Sequence, residues 1–281
     1  LLYMAKLFVE AGFPPGVLNV VPGLGSVAGS ALAEHPDVEK IAFTGSTKIG
    51  QKIMEIAAQS NLKDVTLECG GKSPAVIFAD SDLDNAVEWV AGGIFYNSGQ
   101  NCTSNSRIYV QDTVYEKFLS KFRSHIQCKW KFGPKLDPFD KECTLGPVIS
   151  EVQYKKIRGY VDHGSSEEEL SISKLGDFPT SSKGYFIPPI FFTDVPQTST
   201  LNREEIFGPV AVISKFKDYE EAIKLANDTP YGLASAVFTE NLRVANRFVR
   251  DIKAGTVWVN SSNDEEISVE FGGFKSSGIG R

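Results

Sequence analysis

Apolar residues recur at helical spacing from Leu1 to Glu10 and stop at Gly12, just before Pro14-Pro15, which predicts an amphipathic helix. Val17–Val21 reads as a short apolar strand, and Val27–Glu34 as a helix. Strand Ile41–Phe43 runs into the turn Thr44-Gly45-Ser46-Thr47, which opens a helix to about Ser60. Val65–Leu67 is a third strand. Strand and helix alternate, so the grammar is βαβ and the strands are expected to be parallel.

A second series begins near Gly70-Gly71, the expected domain boundary. Ala75–Phe78 is a strand, and Ser81-Asp82-Leu83-Asp84 resembles a capping box opening a helix toward Phe95. Ile108–Val110 (strand) and Val114–Ile126 (helix) follow. Lys129–Gly146 reads as a loop, Val152–Asp162 as a helix, and Gly164–Glu169 as a solvated acidic loop. Strand Val210–Phe216 precedes a capping pair, Asp218 and Glu221, that opens a helix to Asn227. Strand Ala234–Phe238, helix Leu242–Ile252 and a buried-looking strand Thr256–Val259 complete the series. There is no internal repeat and no low-complexity tract.

At 281 residues, two domains are expected. With 42% hydrophobic and 23% charged residues, the composition is that of an ordinary globular protein. The formal charge is −6 and the basic residues are scattered, so no nucleic-acid surface is indicated. No apolar run reaches the roughly 18 residues a membrane helix needs. The four cysteines are too few and irregular for a disulfide framework, which favours a reducing compartment. His35, His125 and His163 stand at no metal-ligand spacing, so no metal is expected. The chain opens without an initiator Met and closes on Gly-Ile-Gly-Arg, and it reads as a fragment. A cytoplasmic location is expected, with a mitochondrial one as the alternative if a targeting segment precedes Leu1.

Four segments carry chemistry. In Gly99-Gln100-Asn101-Cys102, a Cys sits at an element end where backbone N–H groups can meet its sulfur and a developing oxyanion. A thiol attacks carbonyls as thiolate, so such a site is expected to lower its pKa. The alternative is a buried structural Cys, which is how Cys128 and Cys143 read. In Thr66-Leu67-Glu68-Cys69-Gly70-Gly71-Lys72, Glu68 ends a strand at the edge where open α/β sheets bind ligands. Partial burial would suit it to general-base work; the alternative is a cap or a pairing with Lys72. The Phe43–Gly50 turn can present N–H groups and the Ser46 hydroxyl to a phosphate, or be a plain βα turn with Ser46 as cap. In Glu204-Glu205-Ile206-Phe207-Gly208-Pro209, an acid near an aromatic can grip ribose hydroxyls and a flat ring, or be a solvated turn.

Together, in this order and spacing, these segments and the terminal Phe271–Arg281 stretch resemble the aldehyde dehydrogenase superfamily from Leu1 to Arg281. The resemblance lacks that family's N-terminal portion and last segment. It implies a partial Rossmann-like cofactor-binding domain over residues 1–70 and an α/β catalytic domain with a mostly parallel sheet over 71–270. Residues 271–281 would start a C-terminal return segment. Cys102 matches the nucleophile and Glu68 the general base for deacylation. Gly45 and Ser46 match the pyrophosphate turn, with Ile49 on the adenine side. Glu205 matches the residue on the nicotinamide ribose, and Phe207 the ring beside the nicotinamide. Tyr96 and Phe271 match walls of the aldehyde pocket. The implied reaction oxidises an aldehyde to a carboxylic acid through a Cys102 thiohemiacetal and thioester, with the hydride passed to NAD or NADP. The presence of Glu68 favours a free acid over transfer to coenzyme A. The oxyanion Asn and the residues selecting NAD or NADP would lie before Leu1, so the chain alone is expected to be poorly active. The full-length protein is expected to be a homodimer or homotetramer acting on a small-molecule aldehyde, with no nucleic-acid or membrane partner. Glu265, in Asp264-Glu265-Glu266, stands where many relatives carry an aromatic. It suggests a preference for cationic or hydroxylated aldehydes; the alternative is an acidic surface loop. A non-catalytic relative with this fold is the competing reading, though it would tend to lose Cys102 or Glu68. A thiol hydrolase would need a His partner that no motif supplies.

Overall fold

The computed structural model describes residues 1–131, 133, 137–166, 170–176 and 184–281. It is a mixed α/β structure with two sheets. Helix α1 (Leu2–Glu10) and the short α2 (Ser30–Glu34) precede strand β1 (Lys40–Thr44), helix α3 (Thr47–Ser60) and strand β2 (Asp64–Glu68). β1 and β2 pair in parallel, with Thr44 beside Glu68 at their carboxyl ends. Ser46 caps α3 by accepting from Ile49 N–H. The last strand of the chain, β10 (Gly278–Ile279), returns to pair antiparallel with β2, setting Gly278 opposite Glu68.

The larger sheet contains β3 (Pro74–Ile77), β4 (Arg107–Gln111), β5 (Ser171–Lys174), β6 (Ile190–Thr193), β7 (Val210–Phe216), β8 (Ala234–Phe238) and β9 (Thr256–Val259). Their order is β5-β6-β7-β4-β3-β8-β9, parallel except where β5 meets β6. Helices α4 (Leu83–Phe95), α5 (Tyr115–Lys129), α6 (Glu151–Ser166), α7 (Thr200–Arg203), α8 (Tyr219–Asn227) and α9 (Leu242–Asp251) complete the chain. β3 and β8 are buried along their whole length, as central parallel strands covered on both faces should be. Val90, Ile94 and Phe95 of α4 pack with Phe118 and Phe122 of α5 over this sheet. The fully buried Arg107 gives its guanidinium to the Leu225 and Ala226 carbonyls at the end of α8, at 3.1 and 2.8 Å. Cations are favourable at that end of a helix.

Several expectations need correction. Val17–Val21 forms no strand. The segment turns locally (Val17 N–H donates to Pro14), no strand edge among the described residues pairs with it, and Val17 and Val21 are exposed. The predicted Val27–Glu34 helix is helical throughout and begins two residues earlier, as a wider turn, Gly25–Gly29, that runs directly into α2. The expected Gly164–Glu169 loop is helical to Ser166, because Gly164 packs against Leu201 and Phe192 where a larger residue would not fit; Glu167–Glu169 lie outside the described residues. In the expected Lys129–Gly146 loop, Lys129 still belongs to α5, and Phe132 and residues 134–136 lie outside the described residues. The cap of α4 is Asp82, which accepts from Asp84 and Asn85, while Ser81 bonds back to Phe78. The Asp218–Glu221 pair caps α8 as the sequence predicts: Asp218 accepts from Glu221 N–H, and Glu221 reaches back to Lys217 N–H. β9 is an edge strand, so Val259 is exposed rather than buried. Strands β5, β6 and β10 and helix α7 were not predicted; each has four residues or fewer, too short for periodicity to show.

Candidate functional site

The site is assembled at Gly70-Gly71, where the chain leaves β2. A side chain on Gly70 would overlap the Glu205 carboxylate, and one on Gly71 would overlap the Cys102 carbonyl oxygen. Gly71 N–H donates to Glu205 Oε1 at 3.0 Å. Two residues without side chains thus let the Cys102 turn and Glu205 close on the backbone beside Glu68. Glu68 is half-buried and accepts from the Thr44 hydroxyl at 3.4 Å. It does not pair with Lys72, whose Nζ is buried with no hydrogen-bond partner among the described residues. Burial, then Arg107, lower the Lys72 pKa to about 7.

The turn carrying Cys102 is strained. After α4, Asn97, Ser98 and Gly99 all adopt left-handed backbone. Such strain persists only where surroundings impose it, and it clusters at functional sites. Here Gly99 lies against the Gly208 carbonyl, where no side chain fits, and Ser98 Oγ donates to Gly146 O at 2.7 Å. Phe207, a bulky residue, is also left-handed, at φ 58°.

Cys102 and Glu68 line one cavity of about 780 Å³, with Thr103, Trp258, Asp264, Glu265, Glu266, Glu270 and Phe271 among the other walls. Phe271 and Glu265 thus share the cavity with Cys102. Tyr96 does not line this cavity and is 68% exposed. The expected lowering of the Cys102 pKa is not met. Burial pushes the thiol up, and the Glu205 and Glu68 carboxylates add to this; the backbone N–H groups of Cys102 and Thr103 oppose it. Burial likewise raises the Glu205 pKa, against the Gly71 N–H and then Lys156 and Lys72. All four cysteines are free. Among the described residues no cluster is set to hold a metal ion, and no helix is long and apolar enough to cross a membrane.

Gly45 and Ser46, on the exposed turn between β1 and α3, and Ile49, in the first turn of α3, lie outside the cavity. Gly45 packs on the Phe43 ring, where a Cβ would collide. The first N–H groups of a 14-residue helix open there to solvent, which fits a phosphate-bearing cofactor.

A sequence profile described as "Aldehyde dehydrogenase family" matches residues 1–281. The chain belongs to the aldehyde dehydrogenase family. It is 62% identical to aldehyde dehydrogenase [NAD(P)+] 1 of Saccharomyces cerevisiae across the whole of this chain and 56% of that protein. The chain therefore spans about half the length of such relatives. The NAD+ complex of the Bacillus cereus aldehyde dehydrogenase is 43% identical with a TM-score of 0.93, over 100% of this chain and 56% of that one. Betaine aldehyde dehydrogenase of Staphylococcus aureus, solved with NAD+, is 35% identical with a TM-score of 0.92, over 99% of this chain and 55% of that one.

Two groups in this aldehyde dehydrogenase chain escape motif reading. On α6, Gln153 Nε2 donates to the Ile206 and Phe207 carbonyls at 3.1 and 2.7 Å, and Lys156 Nζ to the Glu205 carbonyl at 3.1 Å. Their spacing of three puts both on one helix face, which was the only sequence signal. Asn101 and Asn263 are hydrogen-bonded to each other beside Cys102, 162 residues apart in sequence, so no local pattern could link them.

Proposed function

We propose that this chain supplies the nucleophile, the general base and part of the cofactor bed of an enzyme that oxidises aldehydes to carboxylic acids with NAD or NADP. The observation that carries this reading is that Cys102 and Glu68 line the same cavity, with Glu205 docked on Gly70-Gly71 beside them. The division is residues 1–70 for part of the cofactor domain, 71–270 for the catalytic domain and 271–281 for the return segment.

Cys102 thiolate attacks the aldehyde carbon, forming a C–S bond while the carbonyl pair moves to oxygen. The Cys102 backbone N–H would hold that oxyanion. Gly45 and Ser46 would hold the cofactor phosphates, Ile49 would flank the adenine side, Glu205 would take the nicotinamide ribose and Phe207 would stand beside the ring. When bound, the nicotinamide supplies the two-electron acceptor that leaves a thioester on Cys102. Glu68 then takes a proton from water, the hydroxide oxygen adds to the thioester carbonyl, the C–S bond breaks, and the acid leaves. Phe271 walls the aldehyde pocket; Tyr96 would do so only after moving from its exposed position. The whole protein is proposed to be a homodimer or homotetramer.

The test is absorbance at 340 nm when a protein spanning the relatives' full length is mixed with NAD or NADP and an aldehyde. A steady rise is expected, and no rise with either cofactor on any of several aldehydes would reject the reading. The 281 residues alone are expected to be far slower in this assay, because the exposed apolar side chains concentrate in residues 1–32.

The cavity also speaks to substrate charge. Glu68, Asp264, Glu265, Glu266 and Glu270 line it, and among the described residues no Lys or Arg does. Such a lining concentrates cations. Glu265→Phe is expected to lower catalytic efficiency on a protonated aminoaldehyde relative to a simple alkanal by about tenfold, or ~1.4 kcal/mol. An unchanged preference would reject the role of Glu265.

A further inference from the structure

The turn that bears Cys102 is tied to the loop after β9 by a continuous polar chain. Cys102 Sγ faces Asn101 Oδ1 at 3.7 Å, and Thr103 N–H donates to the same oxygen at 3.4 Å. Asn101 Nδ2 points the other way and donates to Asn263 Oδ1 at 3.2 Å. The Thr103 hydroxyl also donates to Asn263 Oδ1. Asn263 Nδ2 donates to Ser262 Oγ at 2.9 Å, and Ser262 in turn donates to Asn105 Oδ1, which lies in a gap that a side chain on Gly93 would fill. Asn105 and Ser262 are buried, so the chain is anchored in the core. The Trp258 indole N–H holds the same loop through the Asp264 carbonyl at 2.9 Å.

We propose that Asn263 is a positioning residue that keeps the Cys102 thiol protonated at rest, by fixing the oxygen end of the Asn101 amide toward the sulfur. The inference rests on Cys102 being the nucleophile. An amide oxygen accepts from S–H but repels a thiolate, whereas an amide N–H favours the thiolate. With its NH2 held by Asn263, Asn101 can offer only the oxygen. Releasing that hold lets the amide turn its NH2 to the sulfur. The charged groups that act on the sulfur are Glu205 after α7 and Glu68 at the end of β2, while Asp264, Glu265, Glu266 and Glu270 line the wall of the same cavity. Glu205 and Glu68 oppose the thiolate, and both remain in place when only Asn263 is changed.

Asn263 has left-handed backbone, at φ 55°, so glycine can replace it without strain. The full-length enzyme is treated with iodoacetamide across a pH series, and alkylation of Cys102 is followed by peptide mass. Asn263→Gly is expected to lower the midpoint of the rate profile by about one pH unit and to speed alkylation at neutral pH roughly 5–10-fold. Asn263→Asp tolerates the same backbone, keeps an acceptor for Asn101 and is expected to hold the midpoint at or above the wild-type value. A purely structural role would change thermal stability and leave both midpoints where they are. Identical midpoints in all three proteins, or an upward shift in Asn263→Gly, would overturn the proposal. Persisting aldehyde oxidation in Cys102→Ser would instead overturn the nucleophile reading, and the alkylation series reports independently of it.

Discussion

Cys102→Ser is expected to reduce aldehyde oxidation by about 10³-fold or more, equivalent to roughly 4 kcal/mol of transition-state stabilisation. The substitution keeps the size and the backbone N–H of the residue, so the strained turn after α4 and its packing against Gly208 should persist. What is lost is the sulfur. A serine hydroxyl ionises far less readily than a thiol, and no histidine is among the residues lining the cavity to act as its base. Thermal melting and cofactor binding should stay near wild type, while steady-state oxidation disappears. Substantial turnover in a folded Cys102→Ser protein would transfer the nucleophile role elsewhere.

Glu68→Gln is expected to behave differently, because it removes a proton acceptor and leaves the nucleophile. The first turnover should proceed, giving a burst of reduced cofactor close to one equivalent per site. Subsequent turnovers should slow by about 10²–10⁴-fold, the usual contribution of a positioned general base. Glutamine preserves shape and can still accept from the Thr44 hydroxyl, so β1 and β2 should keep their register. A variant with neither burst nor turnover would place Glu68 in the first chemical step instead.

Much of this was legible in the sequence. The turns Thr44–Thr47 and Asp218–Glu221 announce themselves because capping chemistry is local, and the parallel strands β3, β4, β7 and β8 announce themselves by apolar content. The Gly70-Gly71 pair was visible as a motif, but its physical reason was not. Only the fold shows that Glu205 and Cys102 press on those two backbones from distant parts of the chain. The Cys102 environment differs from the sequence expectation for a related reason. Element-end N–H groups are visible locally, whereas the burial and the carboxylates that outweigh them come from remote segments. Val17–Val21 forms no strand despite its apolar content, because an apolar run becomes a strand only when a sheet edge receives it. Asn263 carries no local signal, because what ties it to the site is a hydrogen bond to Asn101, 162 residues away.

The most direct test of Cys102 and Glu68 acting together is intact and peptide mass spectrometry of full-length Glu68→Gln, quenched in acid after mixing with cofactor and a simple aldehyde. The expected result is a mass increase equal to the acyl group, on the peptide containing Cys102, in step with the burst of reduced cofactor. A burst without acyl on Cys102, or acyl on a different residue, would contradict it.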